Sequence, residues 1–313
     1  MQILNSLVPI FSVIGLGFVL RRFKFLTAEG TQAFNRFAYY FALPLFLFYK
    51  LAAAPSGTGT ANLFLTTLLG ASVVTAIITW VVTWLLGTSI RSRGAFIQSG
   101  FRGNLAFIGL PLIFFVTSDL PVEHKGQIEA SVLIALAPVV IFFSVTSVAA
   151  LAVYNEQTES GFSWGYVWFN IVSNPLVIAC VIGFAFQQFD WPVPTAVVRT
   201  FNVVGGAAFP LALLGIGSQL AAISVAGQWF NAMISSTIKC VICPIVGWLI
   251  GSSIGLTGIE LQVILILCAV PTAISSYVLA DQMKGDADLA ASSVVICTVF
   301  SLFTLSILLA IPF

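Results

Sequence analysis

Charged residues are scarce in this chain. Only 7% of its 313 residues are charged, and it has a single histidine. A soluble globular domain has about 25% charged residues, so the composition excludes that class of protein. The formal net charge of +1 indicates neither a basic surface nor a charged tail. We therefore expect no nucleic-acid partner.

Groups that could perform catalysis are also few. The one histidine, His124, lies between Glu123 and Lys125 in a polar connection, so a serine–histidine pair inside an apolar segment is not available. Residues 215–220, GIGSQL, do not match the G-x-S-x-G turn that carries a nucleophilic serine. We expect no enzymatic activity and no cofactor.

The five cysteines have apolar surroundings. Cys180, Cys268 and Cys297 lie in apolar segments, and so do Cys240 and Cys243, which form a C-x-x-C pattern. A thiol in such a segment behaves as a small hydrophobic group. One C-x-x-C pair without a second pair is a weak sign of metal binding. We expect no disulfide framework and no metal site.

Apolar stretches, by contrast, fill most of the chain, which is 59% hydrophobic. Hydrocarbon offers no hydrogen bonds, so a chain crosses a bilayer as helices or as a closed barrel. Stretches of about 18–25 residues have the length of spanning helices. We predict an all-α membrane protein embedded in the lipid bilayer. Its ten predicted spans lie at residues 3–21, 31–52, 62–87, 94–118, 126–153, 163–188, 195–221, 229–251, 259–282 and 287–312.

Positive charge on the connections predicts the orientation, because Lys and Arg are enriched on the cytoplasmic side of membrane proteins. The two sides differ in their basic residues, with Arg21, Arg22, Lys24, Arg91, Arg93 and Lys284 on one and Lys50, Lys125 and Arg199 on the other. An even number of spans places both termini on the same side. Both termini are therefore predicted to face away from the cytoplasm.

The sequence contains a weak internal repeat. A shift of 166 residues aligns Pro9 with Pro175, Gly17 with Gly183, and FALPLFL at 41–47 with AAFPLAL at 207–213. Five spans separate equivalent positions, and because five is odd, the second half enters the membrane from the opposite side. We predict two inverted repeats, residues 1–153 and 164–313, joined by a short cytoplasmic linker at 154–163. Inverted repeats of this kind are common among secondary transporters.

Spans 4 and 9 are interrupted at corresponding places. A six-residue adjustment of the repeat aligns Pro111 with Pro271, and Gly109 lies two residues before Pro111. Proline removes a backbone donor and clashes with the preceding turn. The freed backbone groups are tolerated only inside protein or beside a watery cavity. We predict two broken helices that cross near the middle of the membrane, although each proline alone is also compatible with a simple kink.

Two cations are predicted deep in the membrane. Arg102 lies nine residues after Arg93, or roughly 14 Å at about 1.5 Å per residue, and Lys239 has a similar depth in span 8. The acidic residues lie in connections or near span ends, at Glu29, Asp119, Glu123, Glu129, Glu156, Glu159, Asp190, Glu260, Asp281, Asp286 and Asp288. Because unpaired buried charge is costly, this pattern favours an anion site. The alternative is that Arg102 and Lys239 cap carbonyls of the broken helices.

Uncharged polar residues occur at the same interruptions. Asn104 lies in span 4, and Thr272 and Ser275 lie in span 9; Asn174 in span 6 and Asn202 in span 7 could face them. An amide or hydroxyl can bind a carboxylate without another buried charge. Each of these side chains could instead bond a neighbouring helix. The predicted substrate-binding set is Arg102, Asn104, Thr272, Ser275, Asn174, Asn202 and Lys239.

Several motifs resemble the auxin efflux carrier family, which includes plant PIN proteins and bacterial permeases of organic acids. The resembling segments are RGNLAFIGLPL (102–112), SNPLVIACVIGF (173–184), FPLALLGIGSQL (209–220) and PTAISSYVLADQMKGDADLAASSVV (271–295). The resemblance implies a scaffold of spans 1, 2, 6 and 7, a transport domain with crossed spans 4 and 9, a homodimer, and elevator-type alternating access. By motif, Asn104, Pro111 and Pro271 mark the crossover and its substrate site.

Two departures separate this chain from the plant members. Plant PIN proteins carry Asn-Pro-Asn-Thr where this chain has Asn174, Pro175, Leu176 and Val177, and the long forms have an extended cytoplasmic loop in place of about ten residues here. A bacterial inner-membrane permease is the closer match. We therefore expect a secondary transporter of a small organic anion, such as a carboxylate or an auxin-like acid.

Two other functions use the same predicted features. The first is a sodium- or proton-coupled symporter of related inverted-repeat fold, although exchange of cations usually requires carboxylates deep in the membrane. The second is a receptor that binds in the same pocket without transport. Flux in liposomes distinguishes both from uncoupled anion transport.

Overall fold

The computed structural model describes residues 2–54, 60–154, 165, 168–169, 172–223 and 228–311, with side chains from Ser6 onward. Apart from residue 154, the predicted linker at 154–163 lies outside these ranges. Within them the regular structure is helical, and the one β-type contact is an isolated bridge between Gly103 and Thr272.

The helices follow one another with short connections. The first half contains α1 (Gln2–Arg22), α2 (Ala28–Phe37), α3 (Leu43–Ala52), α4 (Ala61–Leu85), α5 (Ile90–Phe101), α6 (Leu110–Val116) and α7 (Val122–Val153). The second half contains α8 (Pro175–Gln188), α9 (Thr195–Gly206), α10 (Ala208–Ala222), α11 (Trp229–Thr237), α12 (Cys243–Ser253), α13 (Gly258–Ala269), α14 (Ser275–Gln282) and α15 (Ala287–Ala310).

The chain is a multi-pass membrane protein by length and composition of its helices. Five continuous helical stretches are long and apolar enough to cross a membrane: Ala61–Leu85, Val122–Val153, Thr195–Ala222, Trp229–Ser253 and Ala287–Ala310. Their ends lie within four residues of the predicted spans. Hydropathy therefore located these helices well, because in lipid every backbone group must be bonded inside its own segment.

Three short π-helical segments precede prolines. They are Ala38–Ala42, Leu105–Gly109 and Ile238–Ile242, and each is followed after one residue by Pro44, Pro111 or Pro244. A proline cannot donate to the preceding turn, and its ring would clash with the carbonyl four residues earlier. The wider π turn removes that clash. Span 2 and span 8 consequently remain helical through their prolines, whereas span 4 is interrupted just before its π segment.

The helices pack as two groups. We call α1, α2, α3, α8, α9 and α10 the first helix group, because α1 packs along α10, α3 packs along α8 and α9, and α2 packs on α10. The remaining helices, α4 to α7 and α11 to α15, form the second helix group. In this group α4 contacts α5, α7 and α12. Helix α15 contacts α11 and α14. Contacts inside each group are more extensive than those between them.

Two close approaches in the first helix group are related by the sequence repeat. A Cβ added at Gly17 would lie 2.2 Å from the carbonyl oxygen of Leu214, and one added at Gly183 would lie 3.0 Å from the carbonyl oxygen of Phe48. The shift of 166 residues converts Gly17 into Gly183 and Phe48 into Leu214. Glycine allows the helix backbones to approach closely, a frequent device between membrane helices.

Candidate functional site

Spans 4 and 9 are both broken, and their extended segments cross. Helix α5 ends at Phe101 and helix α13 ends at Ala269. Between the extended segments, the Asn104 N–H donates to the Pro271 carbonyl at 2.8 Å, and the Ala273 N–H donates to the Arg102 carbonyl at 3.1 Å. The backbone groups released by the two breaks therefore bond each other, which satisfies them away from water.

Of the three residues predicted to mark the crossover, Pro271 takes part in its backbone pairing, and Gly109 and Pro111 lie in the helical segment that follows it. Pro271 supplies the carbonyl that accepts from Asn104. Gly109 ends the π segment, where an added Cβ would meet Leu267 of α13 at 3.0 Å. Pro111 is the second residue of α6, directly after the π segment whose wider turn accommodates its ring.

A cavity of about 650 Å³ opens beside the crossing. Arg102, Gly103 and Asn104 line it from span 4, and Ala273, Ile274 and Ser275 line it from span 9. Helices of the first group form the opposite wall. Three arginines line the cavity, namely Arg21, Arg36 and Arg102, and none of its lining residues among those described is acidic. The cavity therefore has a positive electrostatic character.

Arg102 is held at the crossing by its own backbone. Its N–H donates to the Gln98 carbonyl and its carbonyl accepts from Ala273. The guanidinium Nη1 is buried and has no hydrogen-bond partner among the described residues. Among the described residues, the Arg102 side chain does not bond a helix carbonyl, which was the alternative prediction. Arg102 therefore presents a cation without a partner at the cavity.

Three helical segments also begin at this cavity. Asn104 to Phe107 line it at the start of the π segment, Ala273 to Ser275 at the start of α14, and Asn174 and Leu176 at the start of α8. A helix N-terminus carries a partial positive charge and unpaired N–H groups, which together attract anions. The backbone thus adds to the positive character that the arginines provide.

Two asparagines that were predicted to bind substrate cap two of these helix N-termini. The Asn104 Oδ1 accepts from the Phe107 N–H at 3.4 Å, and the Asn174 Oδ1 accepts from the Leu176 N–H at 3.0 Å. In each case the oxygen is used inside the protein, so the Nδ2 donors remain for another acceptor. Ser275, at the first position of α14, is exposed to the cavity and can donate from its hydroxyl.

The other three predicted substrate residues are bonded elsewhere and do not line this cavity. The Thr272 hydroxyl is buried and donates to the Ser99 carbonyl at 2.6 Å. Asn202 is exposed on α9 and accepts from the Tyr49 hydroxyl at 2.9 Å. Lys239 is 1% exposed, and its ammonium donates to the Cys268 carbonyl. Lys239 thus caps the last turn of α13, which is the alternative that the sequence left open.

Much of the cavity wall comes from α2 and from the π segment that continues it, neither of which the sequence motifs pointed to. Thr31, Asn35 and Tyr39 line the cavity at four-residue intervals, beside Gln32 and Arg36. That spacing places them on one face of a helix. In a chain with only 7% charged residues, a helix face that combines Arg36 with several polar side chains was a readable signal. Ser218 and Gln219 of α10 and Ser144 of α7 also line the cavity.

One acidic side chain lies near the cavity mouth without lining it. Glu29 is exposed in the first turn of α2. Backbone hydrogen bonds at this helix start hold the pKa of its carboxyl below the ordinary value, with help from the Thr27 hydroxyl and the nearby Arg21. Glu29 is therefore anionic at neutral pH and partly offsets the charge of Arg21 at the rim.

Four cysteines of spans 8 to 10 lie behind the crossing as two pairs, Cys240 with Cys297 and Cys243 with Cys268. The sulfurs of Cys240 and Cys297 are 3.2 Å apart, and the Thr272 N–H donates to the Cys297 sulfur at 3.3 Å. The described residues contain no group of three or more His, Cys, Asp or Glu side chains that could hold a metal ion.

Comparison with known proteins gives the family. The profile of the family described as membrane transport protein matches residues 2–309. An uncharacterised transporter of Methanocaldococcus jannaschii is 21% identical over 93% of both chains. A Rhizobium meliloti protein provisionally named a malonate transporter is 25% identical over 98% of this chain and 95% of its own length. The auxin efflux carrier component 5 of Arabidopsis thaliana is 22% identical over 90% of this chain and 88% of its own. The chain therefore belongs to the membrane transport proteins of the auxin efflux carrier family.

Proposed function

We propose that this protein is a secondary transporter of a small organic anion that carries a carboxylate, with the cavity beside the crossing as its substrate site. The observation that carries the proposal is Arg102, which lines the cavity with two other arginines and whose Nη1 has no hydrogen-bond partner among the described residues. A cation partly removed from water without a partner is costly, and a bound carboxylate reduces that cost. The names of two relatives refer to malonate and auxin, which are both carboxylic acids.

Arg102, Asn104, Asn174 and Ser275 are the residues we assign to the substrate. The Arg102 guanidinium pairs with the carboxylate, because its planar fork matches two carboxylate oxygens. The Nδ2 groups of Asn104 and Asn174 and the Ser275 hydroxyl donate to the remaining lone pairs. The N-termini of the π segment, α8 and α14 stabilise the same negative charge without adding a side chain.

Thr272 and Lys239 serve the site through the crossing. Both are buried and bonded to backbone carbonyls of broken helices, at Ser99 and Cys268. Their bonds hold the extended segments that carry Arg102 and Asn104. Asn202 joins α9 to α3 through Tyr49 and so supports the first helix group.

We propose that the ten predicted spans form two inverted repeats, residues 1–153 and 164–313. Three observations support this arrangement. The broken helices lie in spans 4 and 9, which are equivalent in the repeat. The pairs Gly17–Leu214 and Gly183–Phe48 are related by the repeat shift. Helix α1 of span 1 packs on α10 of span 7, and α8 of span 6 packs on α3 of span 2. The repeat converts the first of these contacts into the second.

The division into two helix groups supports elevator-type alternating access. The substrate residues of spans 4 and 9 belong to the second helix group, which we propose moves as a unit past the first. The first helix group then acts as the fixed scaffold and joins a second copy in a homodimer. With both termini outside, in the cell (inner) membrane, the cavity mouth at Arg21 faces the cytoplasm, as the excess of basic connections on that side indicates.

Ligand-dependent thermal stability tests the proposal. Purified protein is heated with a panel of mono- and dicarboxylates and, as matched controls, with the neutral amides of the same acids. A ligand that binds the folded state raises its stability, by about 2.7 kcal/mol at a hundred times its dissociation constant. We expect at least one carboxylate to raise the melting temperature while its amide does not. Equal effects of acid and amide would contradict an anion site.

A further inference from the structure

Three aromatic rings pack together on the side of the crossing that is remote from Arg21. Phe46 of α3, Phe114 of α6 and Phe209 of α10 meet with ring centroids 4.8 to 5.8 Å apart. Phe114 lies ten residues after Asn104, roughly 15 Å along the span at about 1.5 Å per residue. The rings therefore lie between the crossing and the far end of the protein. Phe46 and Phe209 belong to the first helix group, and Phe114 belongs to the second.

An ion pair lies beside this aromatic layer. The Lys50 ammonium is 4.9 Å from the Phe114 ring centroid and 3.2 Å from Oε2 of Glu129. The other carboxylate oxygen of Glu129 accepts from the Thr117 hydroxyl at 3.3 Å. Lys50 lies 19 residues after the cavity residue Thr31 in the same span, so roughly 28 Å separates them along a helix. The ion pair is therefore at the end remote from the cavity mouth.

Glu129 is more deeply buried than its sequence position indicated. The sequence placed it near the start of span 5, but α7 begins at Val122, so Glu129 lies two turns inside the helix. The residue is only 5% exposed. Lys125, one turn earlier on the same helix, lies 3.9 Å from its Oε1. A carboxylate buried to this extent requires its cations, because an unpaired buried charge is strongly destabilising.

The Lys50–Glu129 pair joins the two helix groups. Lys50 is in α3, which packs on α8 and α9 of the first group, and Glu129 is in α7 of the second. Other described side-chain bonds run within a group: Thr31 with Ser218 in the first, for example, and Ser92 with Asp286 in the second. Among the described residues, movement of one group past the other would therefore break few side-chain hydrogen bonds.

We propose that the Lys50–Glu129 ion pair and the phenylalanine layer form a gate that closes the far side of the substrate cavity in this conformation. This inference rests on the proposed function. When the second helix group moves, Glu129 and Phe114 move away from Lys50, Phe46 and Phe209, and the gate opens to the side on which Lys50 lies. Glu129 keeps Lys125 as a partner during the movement, because both are on α7.

Sided labelling of a cavity cysteine tests the gate. Ser144→Cys places a thiol in the cavity wall, and the five native cysteines are buried, so the unmodified chain provides the background. A membrane-impermeant, negatively charged thiol reagent is added to one side of oriented vesicles at a time. With the gate intact, we expect fast labelling from the Arg21 side and slow labelling from the Lys50 side.

Removal of the ion pair should open the far side. Lys50→Met and Glu129→Gln are each expected to raise labelling from the Lys50 side by about tenfold, within the range of conformational couplings. The double variant should label no faster than the more affected single one, because the two residues act through one pair. Lys125→Met, which removes a charge beside Glu129 without separating the helix groups, is the matched control and should leave the rate unchanged.

Two results would overturn the gate. One is unchanged labelling from the Lys50 side in both Lys50→Met and Glu129→Gln, each shown to be folded by its elution from a sizing column. The other is equal acceleration by Lys125→Met, which would indicate a general charge effect. The labelling needs no substrate, so failure of the gate and failure of anion binding are separate outcomes.

Discussion

At the scale of single residues, the position of one cation explains most of the site. Arg102 follows the last residue of α5, where the extended backbone turns its side chain out of the helix, and its Nη1 is left without a partner. Lys239 is also a cation inside the protein, but its ammonium is buried and donates to the Cys268 carbonyl. The two cations therefore differ in role: the Lys239 ammonium binds a backbone carbonyl, whereas the Arg102 guanidinium has no partner within the described residues.

Arg102→Ala should weaken carboxylate binding by about 10- to 100-fold. A hydrogen bond to a charged group contributes about 1.5–3 kcal/mol, and each 1.4 kcal/mol is a factor of ten in affinity. Binding is measured by calorimetry with the carboxylate that gives the largest thermal stabilisation. Arg22→Ala is the control, because Arg22 is exposed and does not line the cavity. Equal affinities of Arg102→Ala and Arg22→Ala would remove Arg102 from the site.

Lys239→Met should act on stability more than on binding. The substitution removes the ammonium that caps α13 and leaves the Cys268 carbonyl without that donor, at a cost of about 1–3 kcal/mol. We expect a lower melting temperature and a smaller loss of affinity than in Arg102→Ala. Arg22→Ala serves as a control for loss of one positive charge, because Arg22 is exposed. If Lys239→Met lost binding as completely as Arg102→Ala and melted normally, Lys239 would contact the substrate directly.

The sequence predicted the position of these residues along their spans better than the direction of their side chains. Residue counting placed Arg102, Asn104 and Ser275 at the interruptions, and the structure shows them lining one cavity. The same counting could not show that Thr272 and Lys239 turn towards Ser99 and Cys268, because that depends on how three separate spans pack. Asn202 was assigned by span alone, and its contact with Tyr49 depends on the packing of α9 on α3.

At the scale of helices, proline positions were informative but ambiguous. Pro44, Pro111 and Pro244 each follow a π segment, while the break before Pro271 is an extended strand-like segment. The sequence alone predicts a disturbance at each proline. Whether the helix widens or breaks depends on a partner for the freed backbone groups, and in spans 4 and 9 each broken segment provides that partner for the other.

Gly17→Ala should loosen the packing of α1 on α10. Its added Cβ would lie 2.2 Å from the Leu214 carbonyl oxygen, so the helices must separate. Overpacking of this kind costs about 1–3 kcal/mol, and the thermal unfolding temperature should fall. Gly15→Ala, two residues earlier in the same helix, has no atom within 4 Å of its added Cβ and is the matched control. Equal stability of the two variants would contradict the close helix contact.

At the scale of the whole molecule, the distribution of charge predicts that transport does not need sodium. The cavity has three arginines and no acidic lining residue among those described, and it would repel a cation. The buried carboxylate of Glu129 is already paired with Lys50. Anion flux into liposomes should be unchanged when choline replaces sodium. A flux that disappears without sodium would instead favour the sodium-coupled symporter.

Membrane potential should act on transport of a monovalent anion. Moving one charge across the membrane changes the free energy by about 2.3 kcal/mol per 100 mV, so an interior-negative potential should drive efflux in the absence of a coupled cation. Flux is compared at several potassium gradients in the presence of valinomycin. If flux does not respond to the potential, another charge moves with the anion.

Protein-dependent flux of a carboxylate through liposomes is the most direct test of the central claim, that a positively charged cavity at the helix crossing carries an organic anion across the membrane. Purified protein is reconstituted, and uptake of a labelled carboxylate that binds is followed beside that of its neutral amide. We predict saturable uptake of the acid, little uptake of the amide, and loss of uptake in Arg102→Ala but not in Arg22→Ala. Binding without any flux, or equal flux of acid and amide, would contradict the claim.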